Sequence, residues 1–334
     1  MTAGLKVGKI PNEILKKIVF ENLGRTDPSV LLGPNLGEDA ALIQLGRNIV
    51  AFKSDPITGS VDEIGWLAVY VNANDIATRG AVPRWFIQCI LLPEGSAKSD
   101  LEAICQQIDS AAKEIGVSIV GGHTEVTKGI ERPIVVGSML GIVKDDRFFT
   151  SGGAKTGDLL FMTKSAGLEG TAILSSEPMI AKKYGNEFTS KCKSLIKLIN
   201  VVGECMLLAG QEGVTSMHDV TEGGLLGGVW ELAEAAGAGV SIDLAAVPVL
   251  KETEIICGEL GLDPFRLIGS GSLLFTVEPA SASAVEASLR SAGVRFSRIG
   301  EIKPAMESRS CRCLDGKVRA IGPPSSDELW KGLA

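Results

Sequence analysis

Val71-Asn72-Ala73-Asn74-Asp75-Ile76-Ala77-Thr78-Arg79-Gly80-Ala81 closes an apolar run that begins Ile64-Gly65-Trp66-Leu67-Ala68-Val69-Tyr70. At the helical period, residues 64, 67, 68, 71, 75 and 78 share one face. Trp66, Val69, Ala73 and Ile76 fall on the others, so the spacing predicts a helix over 62–79 that is apolar nearly all round and therefore buried. No charge lies between Glu63 and Asp75. A carboxylate then arrives on an apolar face, where an ionised group is costly unless it is paired or binds a metal. Taken alone, Asn74-Asp75 reads equally well as a wetted helix end.

The surrounding chain narrows the choice. At 334 residues it is long enough for two domains or one large one. A hydrophobic fraction of 45% and a mean hydropathy of +0.23 suffice for folded cores. A net charge of -7 argues against a broad nucleic-acid-binding surface. Uncharged apolar runs such as 133–143 are too short to span a bilayer, and Met1 to Lys6 lacks the apolar core of a signal peptide. The expected class is a soluble cytoplasmic protein without a membrane partner. Seven scattered cysteines argue against a disulfide scaffold, and with only two histidines, His123 and His218, no cluster has zinc spacing.

Elements alternate along the chain. An amphipathic helix is predicted over Pro11–Leu23, with Ile14, Leu15, Ile18 and Val19 inward. Strands follow at 48–53, 85–92, 117–120 and 133–143, with a helix at 99–115. A glycine-rich seam, Thr150 to Asp158, precedes a second series: strands at 159–163, 214–217, 240–244 and 272–277, and helices from Gly167, at 189–209, 225–236, 248–260 and 280–292. Asp315-Gly316 reads as the two-residue turn of a closing hairpin. Both halves are therefore mixed α and β.

Polar clusters stand where these elements end: Asp39 in G-E-D-A-A, Asp55 in K-S-D-P-I-T, Asn74-Asp75, Thr124-Glu125 in G-G-H-T-E, and Asp219 in H-D-V-T-E-G-G. Acidic oxygens converging from separate loops suit magnesium, a hard ion that shares its shell with substrate phosphates. Gly121 and Gly122 would let backbone N–H groups approach phosphate oxygens, and Lys53 could offset phosphate charge. Individually each cluster has a plain reading: a turn before a strand at Asp39, a turn starter at Asp55-Pro56, a simple glycine turn at Gly121-Gly122, and a helix start with Thr221 as N-cap. His218 reads more readily as a satisfied loop histidine than as a catalyst. No G-x-x-x-x-G-K-[ST] loop, early G-x-G-x-x-G or G-x-S-x-G elbow is present.

Taken together, in order, these motifs resemble the aminoimidazole ribonucleotide (AIR) synthase-like, or PurM-like, superfamily. It includes AIR synthase, HypE, thiamine-monophosphate kinase, selenophosphate synthetase and part of formylglycinamidine synthase. The likeness covers roughly residues 35–320 and rests on G-E-D-A-A, S-D-P, V-N-A-N-D-I-A-T-R-G-A-V-P-R, V-G-G-H-T-E and H-D-V-T-E-G-G-L-L-G. It is strongest to HypE and to AIR synthase-related proteins. The resemblance implies an α/β (α+β) two-domain chain: an N-terminal helix and loop at 1–34, an ATP-binding domain at 35–150 whose barrel-like sheet is completed by a second copy, and an α/β domain at 156–334 that closes over the substrate. It implies Mg-ATP and phosphorylation of a carbonyl, amide or acid oxygen. Asp39, Asp55, Asp75 and Glu125 would hold the metal. Asn74, Gly121, Gly122, His123 and Thr124 would meet the nucleotide, and Asp219 and Lys53 would serve catalysis.

Two departures from the family pattern stand out. His123 occupies a position that is acidic in many relatives. The sequence ends Trp330-Lys331-Gly332-Leu333-Ala334, without the terminal cysteine that carries the carboxamide in HypE; Cys311 and Cys313 read as ordinary strand residues. The leading expectation is ATP-dependent activation of a small or protein-bound amide or acid, with a hydrogenase-maturation partner. The alternatives are a small-molecule kinase like thiamine-monophosphate kinase, an AIR synthase of purine synthesis, and a nucleotide-binding maturation factor that no longer turns over, which His123 favours.

Overall fold

The computed structural model describes residues 5, 7–58, 62–324 and 326–333. Most of the Met1–Lys6 segment lies outside these, as does Ala334. The chain divides into two compact units. One comprises Pro28–Gly33 and Asp39–Phe148; the other takes Phe149–Ala334 together with Pro34–Glu38 and the leading segment to Asp27.

The leading segment departs from expectation. Only a single turn, α1 (Asn12–Ile14), is α-helical, followed by a wider π-helical stretch at Leu15–Val19. Ile14 and Leu15 are half-buried, but Ile18 and Val19 are 58% and 47% exposed, so only the first part of the amphipathic stripe is covered.

The N-terminal unit is one mixed sheet with two helices on a single face. Its strands are β1 (Val30–Leu32), β2 (Ala41–Leu45), β3 (Asn48–Ile57), β4 (Ala81–Pro93), β5 (Ser118–Thr127) and β6 (Ile134–Val143), in the order β1-β2-β3-β6-β4-β5. Only β4 and β5 run parallel, joined through α3 (Lys98–Glu114). The buried helix is α2 (Ile64–Thr78), in which every residue except Trp66 is buried. It can lie directly on the sheet because β6 carries glycines beneath it. A Cβ on Gly137 would come 2.4 Å from Asn72 Nδ2, and one on Gly141 2.3 Å from Ile76 Cγ2. The alternation of β6 leaves Val135, Met139 and Val143 against the helix. The opposite face is open, with Phe52, Trp85 and Ile87 exposed.

The C-terminal unit holds a seven-stranded sheet. Its strands are β7 (Leu159–Thr163), β8 (Val214–Asp219), β9 (Gly239–Asp243), β10 (Leu273–Val277), β11 (Phe296–Lys303), β12 (Arg309–Arg312) and β13 (Val318–Ala320), ordered β13-β12-β9-β11-β7-β10-β8. Its helices are α4 (Leu168–Leu174), α5 (Pro178–Lys193), α6 (Val202–Ala209), α7 (Gly224–Ala235), α8 (Lys251–Leu260), α9 (Ala282–Ser291) and α10 (Glu328–Gly332). Leu160, Met162, Leu225, Val229, Val240 and Leu274 share its main core.

Several local expectations change. The helix predicted at 189–209 is broken: α5 starts at Pro178, and α6 restarts where Asn200 Oδ1 accepts Val202 N–H at 2.8 Å. Strand β11 had no counterpart in the sequence reading. Thr221 does not cap α7, whose N-cap is Gly223 in a left-handed conformation. At Asp315-Gly316 the loop is longer than two residues, because Gly316 N–H bonds Cys313 C=O and Cys313 N–H bonds Lys317 C=O. Cys311 and Cys313 sit in and beside β12, and all seven cysteines are free thiols. Among the described residues, no helix is long and apolar enough to cross a membrane.

Candidate functional site

The N-terminal unit gathers charge between β3 and α2. Alternation along β3 turns Ala51, Lys53, Asp55 and Ile57 toward the helices and Phe52, Ser54 and Pro56 toward the open face. Lys53 Nζ lies 2.8 Å from Asp75 Oδ2 and 3.3 Å from Asp55 Oδ2. Asp75 is 3% exposed and Asn74 fully buried, so the wetted helix end is ruled out. Asp39, just before β2, brings a carboxylate oxygen to within 4.8 Å of one on Asp75. Its Oδ2 accepts from Arg79 at 2.7 Å and from the Thr78 hydroxyl at 3.2 Å. Burial alone would lower the Lys53 pKa, but the charges of Asp75 and Asp55 and the hydrogen bond to Asp75 outweigh it. The ammonium is held above the usual lysine range. Three carboxylates and two cations leave this group a formal charge of -1.

Two residues that the sequence reading passed over build this arrangement. Strand β2 pairs with β3 only as far as Phe52, so Asp55 has no strand neighbour on that side. Asn72 supplies one: its Oδ1 accepts Asp55 N–H at 2.9 Å, and its Nδ2 donates to Asp55 C=O at 3.3 Å and to Ala68 C=O at 2.9 Å. The side-chain amide stands in for a missing strand and fixes the backbone that carries Asp55. Arg79, wholly buried, fixes Asp39. An amide and a guanidinium inside so apolar a helix were the available signal.

The G-G-H-T-E motif lies elsewhere. Gly121 and Gly122 form no turn; both belong to the edge strand β5. A Cβ on Gly122 would meet Gln88 C=O at 2.4 Å, whereas one on Gly121 would point into open space. The register pairs Gly121, His123 and Glu125 with Ile87, Cys89 and Leu91, and thus sets them on the open face; Gly122 and Thr124 pair with Gln88 and Ile90 on the helix face. His123 Nε2 and Glu125 Oε2 lie 3.0 Å apart, both exposed. Three strand positions separate β5 from β3, on the order of 14 Å along the sheet. One chain therefore gathers Asp39, Asp55 and Asp75 but not Glu125.

In the C-terminal unit, Asp219 ends β8 opposite Leu273 and is 1% exposed. Its neighbour His218 is buried, with Nδ1 3.1 Å from Ser151 Oγ and Nε2 3.4 Å from Glu231 Oε2. Glu38 accepts the backbone N–H groups of Ser151 and Gly152, each at 3.0 Å.

Comparison with known proteins agrees with this architecture. The AIR synthase related protein N-terminal domain matches residues 37–143, and its C-terminal domain matches 155–309. Carbamoyl dehydratase HypE of Cupriavidus necator is 33% identical over 273 residues, covering 80% of this chain and 76% of that protein. Among solved structures, hydrogenase maturation protein HypE in complex with ATP superposes with a TM-score of 0.68 at 25% identity, covering 95% of this chain and 92% of that one. The HypE–HypF complex gives a TM-score of 0.77 at 23% identity, covering 93% and 99%, a likeness of fold.

Proposed function

The chain belongs to the AIR synthase-related family, and on that premise we propose an ATP-dependent enzyme that phosphorylates a carboxamide or carbonyl oxygen, the chemistry of the carbamoyl dehydratases. The observation that carries this reading is the Lys53–Asp55–Asp75 group with Asp39 beside it. Its donors are hard oxygens, and its charge, -1 with Arg79 counted, suits a divalent ion, so the residues fit magnesium. Asp39, Asp55 and Asp75 would hold that ion, which when bound offsets the negative charge on the nucleotide phosphates. Lys53, now paired with Asp55 and Asp75, would offer its charge to the phosphates. Phosphoryl transfer of this kind is largely positioning and charge neutralisation, which is what a pre-paired, partly buried lysine supplies.

Asn74, Gly121, Gly122, His123 and Thr124 are the proposed nucleotide contacts. The open space at Gly121 supports a close backbone approach there. The open face with Phe52, Trp85 and Ile87, and the unpaired edge of β5, support a homodimer. A second copy packed there is the proposed route by which His123 and Glu125 join a site. A hydrogenase-maturation partner follows from the kinship with HypE, and free thiols fit a cytoplasmic setting.

Calorimetry with magnesium and AMPPCP tests the assignment. Asp75→Asn should weaken binding at least about tenfold, which is about 1.4 kcal/mol, with the far-UV circular dichroism of the wild type. Equal affinity in the two proteins would overturn it.

A further inference from the structure

Three glycine-bearing loops meet at one end of the C-terminal sheet. Strand β7 runs into Lys164-Ser165-Ala166-Gly167-Leu168-Glu169-Gly170, and β8 runs into Val220-Thr221-Glu222-Gly223-Gly224. Strand β10 lies between them, antiparallel to both, so the Ile268-Gly269-Ser270-Gly271-Ser272 loop that precedes it falls at the same end. The loops are stitched together: Gly170 N–H bonds Ile268 C=O, Gly269 N–H bonds Thr221 C=O, and Val220 N–H bonds Ser272 C=O, at 3.1, 3.4 and 2.9 Å. The Ser272 hydroxyl donates to Ser165 C=O at 2.7 Å.

Three carboxylates face one another in this cluster, and their commitments differ. Asp327 accepts the N–H groups of Gly223, Ile268 and Leu329 at 2.5, 3.1 and 2.7 Å, so both its oxygens hold backbone. Glu222 Oε1 accepts Lys9 N–H and Trp330 Nε1–H, each at 3.2 Å. Glu169 is 5% exposed. Ser270 hydrogen-bonds its carboxylate, yet Oε2 is buried without any hydrogen-bond partner. A buried polar atom left unsatisfied in a native fold calls for a reason. Burial, followed by the nearby charges of Asp327 and Glu222, pushes the Glu169 pKa up to about 7 against the pull of the Ser270 hydrogen bonds. A carboxylate of that strength can both take and return a proton near neutrality.

We propose that Glu169 is a catalytic residue whose Oε2 receives the N–H proton of the substrate's carboxamide. The inference rests on the reading above and deepens it. As the amide oxygen bonds to the γ-phosphorus, the bond from that phosphorus to the β-bridging oxygen breaks and ADP leaves with the electron pair. The amide nitrogen gives one proton to Glu169, and its N–H electrons form the C=N bond of an O-phosphorylated imidate. Without a base the protonated product would revert. Asp327 and Glu222, already bonded to backbone and indole, hold the loops and keep the Glu169 proton affinity high.

The test compares the full-length wild type with Glu169→Gln, which has the shape of the protonated acid, and Glu169→Asp. S-methyl thiocarbamate serves as the amide probe. Phosphate release from Mg-ATP, AMPPCP affinity and the titration of a ¹³C-labelled Glu169 carboxyl are the readouts. The expected result is a loss of at least about 100-fold in amide-stimulated turnover in Glu169→Gln, with partial recovery in Glu169→Asp. AMPPCP affinity should stay within about twofold of wild type, and the wild-type carboxyl should titrate near 7. Unchanged Glu169→Gln turnover, or a carboxyl titrating in the ordinary glutamate range, overturns the role of Glu169 alone. A wild type that binds AMPPCP but releases no phosphate with the amide overturns the dehydratase reading, and Glu169 as its base falls with it.

Discussion

Removing the Lys53 charge should expose what the carboxylates around it are for. In Lys53→Met the apolar stem is retained, and the formal charge of the group falls from -1 to -2. At an effective dielectric of about 20, the contacts at 2.8 and 3.3 Å correspond to gross attractions of roughly 6 and 5 kcal/mol. Most of this is offset by the desolvation that the lysine no longer suffers. Breaking a buried pair costs about 3–5 kcal/mol net. Lys53 and Asp55 keep 23% and 34% of their side-chain surface exposed, so the lower end, about 3 kcal/mol, is expected in chelator. With an m-value of about 2 kcal/mol/M, the urea midpoint of the N-terminal unit should drop by roughly 1.5 M. Magnesium at about 100 times its dissociation constant should return about 2.7 kcal/mol to the variant. It should return less to the wild type, where Lys53 competes for the same oxygens. Urea unfolding followed by circular dichroism, with chelator and with saturating magnesium, reads both quantities. A deficit below about 1 kcal/mol, or one equally large in both conditions, would refute the view that these oxygens await a cation.

Other outcomes follow from particular contacts. Asn72→Ala strands the Asp55 N–H and should cost about 2–3 kcal/mol, lowering nucleotide affinity as well; a urea midpoint equal to wild type would show that water replaces the amide. Glu169 and Asp327 hold protons more tightly folded than unfolded, with pKa values moved from 4.5 and 3.8 to about 7 and about 6. Their contribution is full below the unfolded values and is lost as pH rises through the folded ones, so the C-terminal unit should weaken between about pH 4 and 7. At about pH 8, Glu169→Gln should be more stable than wild type by up to about 3 kcal/mol, and a variant of equal or lower stability there would contradict the raised pKa. Ile87→Glu should convert a dimer to a folded monomer by light scattering, and a wild type that is already monomeric would remove the proposed interface.

Much of the N-terminal unit could be read from residue order because its cause is local. The all-round apolar period of 64–78 forces a buried helix, and a carboxylate on it forces a partner. Asp75 followed from that logic, whereas Asp39 and Asp55 were marked by their places at element ends and by the family resemblance. Asn72 did not follow, since its role arises from β2 ending three residue pairs short of Asp55, a fact of register rather than of composition. The faces of His123 and Glu125 were hidden for the same reason. Pairing slips between Phe86 and Ile87, and a one-residue shift reverses every side chain on an edge strand. The unpaired oxygen of Glu169 depends on three loops far apart in the chain, and S-A-G-L-E-G by itself reads as an ordinary helix start.

The ledger of contacts around the leading segment also bears on how the protein is made. Lys9 bonds Glu222 across 213 residues, and Glu38 holds Ser151 across 113. At a synthesis rate of about 5–20 residues per second, Lys9 leaves the ribosome roughly 10–40 seconds before its partner exists. The N-terminal sheet can form during that interval, while the arm ahead of it, with Ile18 and Val19 uncovered, has to wait. Chaperone capture in the cell should therefore centre on those few early residues.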